Sequence, residues 1–154
     1  MKGGFFVDHY QAVNHILVSL FNDIMDVEEK AIISDEFKDI SSNDMHIIET
    51  IGLDCPKNMS AIAGKMRVTV GTLTIAINNL VKKGYVVRTR GEKDRRVVFI
   101  SLSDKGKKAY EHHKQFHDQM TEAILNRLNE EEIEVLMKAL NNIRDYFHIE
   151  HGKP

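Results

Sequence analysis

Apolar residues recur along much of this chain at helical spacing. In the first thirty residues they follow one another at intervals of three and four, which places them along one side of a helix. They are Phe6, Tyr10, Val13, Leu17, Leu20, Ile24 and Val27. A second seam lies near the other end of the chain and comprises Ile133, Leu136, Met137, Leu140, Ile143 and Phe147. The pattern predicts a long amphipathic helix at each end.

Between these seams, polar residues that favour helix N-caps precede further apolar stretches. The predicted caps are Ser42, Asn58, Thr69, Ser103 and Asn129. Gly52 and Gly84 are placed to stop the second and fourth helices, because glycine adopts the left-handed conformation at little cost. The fifth helix is expected to reach about Leu128. The fourth carries an apolar stripe formed by Val70, Leu73, Ile77, Leu80 and Val81.

The pattern changes from helical to strand-like after Gly84. Residues 85–90 and 97–102 are rich in β-branched and aromatic side chains, and most of the six residues between them are charged. This arrangement predicts a β-hairpin with a charged tip. Because two strands alone are only marginally stable, the hairpin must pack against the helices.

The order helix, helix, turn, helix and hairpin is that of a winged helix-turn-helix. We therefore expect a mainly α protein with a small β-hairpin wing. Residues 35–103 would form the DNA-binding domain, and residues 1–34 and 104–154 a helical dimerisation region. The long apolar faces outside the small domain need a second copy to cover them. The residues assigned to this dimer contact are Phe6, Tyr10, Val13, Leu17, Ile133, Leu136, Leu140 and Ile143.

Composition narrows the classes of function. A chain of 154 residues with 42% hydrophobic and 29% charged residues fits one globular domain, or one that a partner completes. The single cysteine, Cys55, excludes a disulfide scaffold. No apolar run is long enough to cross a membrane, so a cytoplasmic location is expected. The sequence also lacks a phosphate-binding loop, a dinucleotide fingerprint and a Ser-His-Asp series, so we do not expect an enzyme.

Positive charge is concentrated in the middle of the chain. Residues 57–108 carry 13 lysines and arginines against 3 acidic residues, a net charge of +10, although the whole chain has a net charge of -2. Residues 1–56 carry 3 basic and 11 acidic residues, and residues 109–154 carry 5 and 9. A positive block between negative flanks is typical of a surface that neutralises phosphates. It coincides with the predicted winged helix.

Candidate DNA contacts lie on the fourth helix and the hairpin. The helix face opposite the apolar stripe offers hydrogen-bonding groups and one isoleucine to the major groove, and the helix N-terminus can approach a phosphate. The hairpin tip carries cations that suit a minor groove. Asp94 is expected to orient a neighbouring arginine such as Arg96 through a charge-assisted hydrogen bond, or to serve only as a turn residue. The assigned residues are Arg67, Thr69, Gly71, Thr72, Thr74, Ile75, Asn78, Asn79, Lys82, Arg88, Arg90, Lys93, Asp94, Arg95 and Arg96.

Two runs of sequence carry a resemblance to a known family. They are residues 69–86, which include Thr69-Val70-Gly71-Thr72 and Lys82-Lys83-Gly84-Tyr85, and residues 94–106, which begin Asp94-Arg95-Arg96 and end Ser103-Asp104-Lys105-Gly106. Over residues 5–148 the chain resembles the MarR-type winged-helix repressors. Phe37-Lys38-Asp39-Ile40-Ser41 and the His-x-x-x-His of the fifth helix are similar to the FabT-type repressors of fatty-acid synthesis.

The resemblance implies a repressor of fatty-acid biosynthesis genes that acts as a homodimer on a pseudo-palindromic DNA operator. Arg96 or its neighbour would enter the minor groove, and long-chain acyl groups on acyl carrier protein would be the co-repressor. Half-sites would lie about 34 Å apart. Ile75 departs from the polar residue that FabT-type proteins are expected to carry at this position. No other cofactor would be required.

Two alternatives remain open. His113 and His117 stand four residues apart on one helix face, a spacing that suits a shared Zn²⁺, and His46 with Glu28 or Glu29 could complete four ligands. The chain also resembles zinc-responsive members of the same family in these histidines. In the other alternative, the chain is a helical protein-interaction module whose basic face binds an acidic partner, such as acyl carrier protein, without DNA.

Overall fold

The computed structural model describes residues 3–32, 36–91 and 97–151, with side chains from residue 9 to residue 147 within these ranges. The described residues form six helices and one small sheet, which confirms a mainly α protein with a hairpin. The helices are α1 Gly3–Ile32, α2 Ser42–Ile51, α3 Met59–Met66, α4 Val70–Lys82, α5 Asp104–Leu125 and α6 Glu130–His151. The strands are β1 Lys57–Asn58, β2 Val86–Arg90 and β3 Val98–Leu102.

The chain divides into two compact units, Met1–Phe116 and His117–Pro154. The first unit contains α1 to α4 and the sheet, and the second contains α6. The boundary falls within α5. The division into a DNA-binding domain over residues 35–103 and a dimerisation region on either side stays a prediction.

The sheet is antiparallel, with β3 between β1 and β2. The hairpin pairs β2 with β3 from Val86 opposite Leu102 to Arg90 opposite Val98, so both strands lie within the predicted ranges. On the other edge, Lys57 pairs with Ile100. The sequence analysis missed β1 because a strand of two residues shows no periodicity. This third strand joins the hairpin to the start of α3, so the wing is anchored on the helical domain.

The core of the first unit lies between the helices and the sheet. Its buried apolar residues are Ile32, Phe37, Ile40, Met45, Ile47, Ile48, Ile51, Ile62, Ala63, Leu73, Ile77, Leu80, Tyr85, Val86, Ile100, Leu102 and Ala109. The stripe predicted on α4 was too wide, because Val70 and Val81 are 45% and 37% exposed. Only Leu73, Ile77 and Leu80 of that stripe are buried, which leaves a broad surface of α4 outside the core.

Polar side chains cap the first turns of several helices. Asn58, Thr69, Ser103 and Asn129 accept from backbone amides three residues ahead, as the sequence predicts. The prediction of Ser42 as a cap is wrong. The cap is Ser41, whose Oγ accepts from Asp44 N at 3.2 Å while Ser41 N donates to Asp44 Oδ2 at 3.3 Å. Such a reciprocal pair satisfies two amides at once.

Two glycines end helices as predicted, and α5 is shorter than predicted. Gly52 and Gly84 have φ values of 68° and 81°, the left-handed region that glycine enters readily. They end α2 and α4 as expected. The fifth helix stops at Leu125 and not at Leu128, because Arg127 and Leu128 donate to carbonyls three residues back and tighten the last turn.

Apolar side chains remain exposed on α1 and on α6. On α1 the exposed residues include Tyr10, Val13, Ile16, Leu17, Val18, Leu20 and Phe21. On α6 they are Val135, Met137, Leu140, Ile143, Tyr146 and Phe147, whereas Ile133 and Leu136 are half-buried. The side chain of Phe6 lies outside the described residues. Among the described helices, none combines the length and apolar character needed to span a bilayer.

Candidate nucleic-acid interface

The face of α4 that turns away from the core presents most of the residues assigned to the major groove. Leu73, Ile77 and Leu80 hold the helix in the core. Because a helix turns by about 100° per residue, the surface away from the core carries residues that lie more than about 100° from the mean direction of these three. They are Gly71, Thr72, Ile75, Asn78, Asn79 and Lys82, all of which are exposed. The structure therefore brings the predicted contacts together on one accessible surface.

Three threonines at the start of α4 differ in how their hydroxyl groups are used. Thr69 Oγ1 accepts from Thr72 N at 3.1 Å and lies 2.9 Å from Thr72 Oγ1. Thr74 Oγ1 donates its proton to Val70 O at 2.7 Å and is half-buried. The hydroxyl proton of Thr74 is therefore engaged within the helix, and its oxygen can only accept a further hydrogen bond.

A groove separates α4 from the wing. It encloses about 450 Å³ and is lined by Met59, Thr74, Arg88, Thr89, Arg90 and Val98. Arg88 and Arg90 occupy alternate positions of β2, so both project on the same side of the sheet. Both arginines line the groove together with Thr74 of α4, so they add two cations beside the surface that α4 presents.

Arg67 supplies the tight connection between α3 and α4. It is exposed and has a φ of 55°, the one positive value among non-glycine residues in the part of the chain that the structure describes. Its amide donates to Gly64 O at 3.3 Å and closes the last turn of α3. This left-handed residue lets α4 begin after only three intervening residues.

The wing tip itself falls in residues 92–96, outside the described ranges, so the placements of Lys93, Asp94, Arg95 and Arg96 stay predictions. The described part of the hairpin fixes where that tip begins and ends. Gly91 N donates to Val97 O at 2.9 Å and closes the base of the loop.

A polar network supports the junction of α4 and the wing. The hydroxyl of the buried Tyr85 donates to Asp39 Oδ1 at 2.6 Å. Lys105 Nζ lies 3.5 Å from Asp39 Oδ2 and 4.0 Å from the centre of the Tyr85 ring. The hydrogen bond from Tyr85 lowers the pKa of Asp39, with Lys105 adding to the effect, while burial and the nearby carboxylate raise the pKa of Tyr85. The sequence analysis missed this network.

Comparison with known proteins identifies the class of molecule that carries this surface. The family model for the transcriptional regulators SarA/Rot matches residues 30–113, which is more than half of the chain. The chain belongs to the SarA/Rot family of transcriptional regulators. The matched segment includes α2, α3, α4 and the whole sheet, the elements that build the candidate interface.

Solved structures and curated relatives agree with this assignment. A crystal structure of Streptococcus pneumoniae FabT in complex with DNA is 41% identical and has a TM-score of 0.86, over 94% of this chain and 99% of that chain. A MarR-like regulator from Thermotoga maritima is 25% identical with a TM-score of 0.67, over 86% and 94% of the two chains. The regulator SarZ of Staphylococcus aureus is 33% identical over 65% of this chain.

The comparisons confirm the resemblance to MarR-type and FabT-type regulators and the winged helix-turn-helix fold. The alignments with three curated relatives, including SarZ, span between 63% and 67% of those proteins' lengths. The family model and the SarZ match both describe transcriptional regulators. This assignment places the chain among transcriptional regulators.

The first unit of this SarA/Rot-family protein also holds a cluster of the predicted metal ligands. His113 is buried, and its Nε2 lies 3.2 Å from Glu28 Oε1 and 3.4 Å from Glu49 Oε1. Candidate ligand atoms of His46, Glu49 and His113 all lie within 4.8 Å of one another. Imidazole nitrogens and carboxylate oxygens are ligands that Zn²⁺ accepts, so these side chains fit a zinc ion.

The sequence analysis did not include Glu49 among the candidate metal ligands, and the predicted ligand His117 lies in the second unit. Glu49 follows His46 by three residues on α2, a spacing that could have been read from the sequence. Glu29, the alternative to Glu28, is exposed. His117 begins the second unit. Its participation in a metal site stays a prediction.

Proposed function

We propose that this protein is a sequence-specific DNA-binding repressor that inserts α4 into the major groove and lays its wing along the adjacent minor groove. The observation that carries the proposal is the exposed face of α4, with Arg88 and Arg90 beside it across the groove. Residues 57–108, which include both elements, have 13 basic against 3 acidic residues. Cations at this density favour a polyanion, and helix and hairpin fit neighbouring grooves.

The repressor would act as a homodimer on a pseudo-palindromic operator. The exposed apolar residues of α1 and those of α6 support this, because a single copy leaves them in water. A two-fold dimer presents two α4 helices to half-sites about 34 Å apart.

We infer the regulated genes and the effector from the likeness to FabT. The 41% identity with S. pneumoniae FabT supports control of fatty-acid biosynthesis genes, with long-chain acyl groups on acyl carrier protein as co-repressor. The acidic carrier protein would be attracted to the positive charge of the DNA-binding domain. DNA and carrier protein would compete for that charge unless they bind different faces of the protein.

The proposal is tested by selecting duplexes from a random library with the purified full chain and measuring affinity over a range of salt. We expect a preferred pseudo-palindrome, saturation at one dimer per site and a steep loss of affinity with salt. Lys82→Ala should flatten the slope of log affinity against log salt by about one unit if Lys82 contacts a phosphate. Lys138→Ala, an exposed lysine of α6, is the matched control and should leave the slope unchanged.

Effector arms of the same experiment separate the alternatives. Long-chain acyl carrier protein should strengthen operator binding, and the unacylated carrier should not. A chain that binds carrier protein and selects no duplex would be the helical protein-interaction module, and the repressor proposal would fail.

Zinc regulation is the second candidate because the structure gathers His46, Glu49 and His113 around a common point. Bound zinc would neutralise the two carboxylates beside His113 and tie α2 to α5. A change of operator affinity with zinc, retained when acyl carrier protein is absent, would support this candidate.

A further inference from the structure

Ile75 is an apolar side chain displayed at the centre of a polar surface. It is 67% exposed, whereas the neighbouring Leu73 and Ile77 of the same helix are 1% and 0% exposed. On an ideal helix Ile75 lies within about 20° of the direction opposite the mean of the three buried positions of α4. It therefore points away from the core and contributes little to holding α4 in place.

The surroundings of Ile75 leave it accessible to a flat surface such as a base edge. Gly71, one turn before it, has no side chain, and a Cβ atom there would meet only Thr69 Oγ1, at 3.7 Å. Thr72 and Asn79, three residues before and four residues after, are exposed polar neighbours on the same face. A single exposed isoleucine is ordinary on a protein surface. An exposed isoleucine in the middle of the α4 face that we propose enters the major groove is available for a specific contact with a base.

The chemistry of the major groove restricts what Ile75 can recognise. Base edges there offer hydrogen-bond donors and acceptors and one apolar group, the C5 methyl of thymine. An isoleucine side chain can satisfy none of the polar groups. Because it is β-branched, its χ1 angle is already nearly fixed in a helix, so little side-chain entropy is lost on contact.

We propose that Ile75 is a specificity-determining residue that contacts the methyl group of one thymine in each operator half-site and selects thymine over cytosine there. This inference rests on the proposed DNA-binding function. The polar neighbours Thr72 and Asn79 would read hydrogen-bonding groups of adjacent bases, so the apolar contact and the polar contacts discriminate different positions.

Replacement of thymine by deoxyuridine tests the contact, because the exchange removes the methyl group and keeps every hydrogen-bonding group of the base. Each thymine of the duplex selected by the wild-type full chain is replaced in turn, and affinity is measured by fluorescence anisotropy. At one position per half-site we expect about a fourfold loss, the factor that burial of one methyl group gives. Substitution of both half-sites should give roughly the square of that factor.

Two alanine variants assign the loss to a side chain. Ile75→Ala should bind the deoxyuridine duplex as tightly as wild type does, within about twofold, and should lose the preference for thymine at that position. Val81→Ala removes a partly exposed branched side chain from the same helix, about 120° away from Ile75, and should keep the full preference. Circular dichroism establishes that both variants retain their helices.

The outcomes separate this inference from the proposed function. If the wild-type protein selects a duplex and no deoxyuridine position lowers its affinity, the inference is overturned and the repressor stands. The inference is equally overturned if Ile75→Ala shows the wild-type loss at that position, because the methyl effect then comes from DNA shape or from another residue. If the wild-type protein selects no sequence, the proposed function itself fails.

Discussion

The ammonium group of Lys83, at the end of α4, lies 2.7 Å from the carboxylate of Asp44, in the first turn of α2. The side chain of Asp44 is only 10% exposed. Its Oδ2 also accepts from Ser41 N in the N-terminal cap of α2. One carboxylate therefore completes the capping box of α2 and also holds the C-terminal end of α4 against the start of α2.

Lys83→Met should destabilise the protein by about 1 to 3 kcal/mol, because it leaves a largely buried carboxylate without its cation. Lys82→Met is the matched control. Lys82 occupies the adjacent, exposed position, so both variants lose a cation from the last turn of α4 and the effect on the helix dipole cancels. We expect the control to change stability by less than about 0.5 kcal/mol. Urea unfolding followed by circular dichroism measures both.

The same two variants should rank in the opposite order in duplex binding. Lys82→Met removes an exposed cation from the α4 face that we propose contacts DNA. The ammonium group of Lys83 already donates to the carboxylate of Asp44, so its loss should affect DNA binding less. Equal losses of stability in the two variants would contradict the structural role assigned to the Lys83–Asp44 pair.

Gly106 is required by a close approach of α5 to the wing. A Cβ atom at this position would overlap the carbonyl oxygen of Tyr85, which itself accepts from Ser103 N at 2.9 Å. Gly106→Ala should therefore force α5 away from the wing and cost about 2 kcal/mol or more. Gly64→Ala, within α3, meets nothing within 4 Å and should stabilise by about 0.5 to 1 kcal/mol through helix propensity. Thermal unfolding of both variants checks this contrast, and a neutral Gly106→Ala would refute the close approach.

How much of this architecture the sequence could predict depends on the range of the interactions. Caps such as Asn58 and Thr69 act over three residues, so their patterns are visible in the chain. The choice between two adjacent serines was also readable, because only Ser41 has an acidic residue three positions later. The hairpin was also predictable, because its strands show a local pattern of β-branched and aromatic residues.

Long-range contacts were beyond the sequence patterns. The hydrogen bond between Tyr85 and Asp39 joins residues 46 positions apart. No periodicity marks such a pair. The width of the buried stripe on α4 was likewise overestimated, because a helical wheel orders Val70 and Val81 by angle and does not say how far neighbouring elements reach.

The stability contributed by Asp39 should depend on pH. Its pKa lies below the ordinary value of 3.8 in the folded protein because the hydroxyl of Tyr85 donates to its charged form. A lowered folded pKa gives stability that is present above pH 3.8 and is lost as the pH falls through the folded value. The difference in unfolding free energy between wild type and Asp39→Asn should thus be constant near neutral pH and shrink in acid.

Tyr85→Phe supplies the control for this effect. It removes the hydroxyl and keeps the ring in the core, so the pKa of Asp39 should rise toward its ordinary value. A carboxyl NMR titration of Asp39 in both proteins measures the shift. An unchanged Asp39 pKa in Tyr85→Phe would show that the hydrogen bond is not its main cause.

Zinc binding at His46, Glu49 and His113 makes a prediction that needs no DNA. Ligand that binds only the folded state stabilises it by about 2.7 kcal/mol at a hundredfold excess over its dissociation constant, so added ZnCl₂ should raise the melting temperature and EDTA should reverse the rise. His46→Ala and Glu49→Gln each remove a partly exposed ligand and should abolish the response. His15→Ala, an exposed histidine of α1, should retain it. A melting temperature indifferent to zinc in the wild-type protein would exclude the cluster as a metal site and leave Glu28 and Glu49 as structural partners of His113.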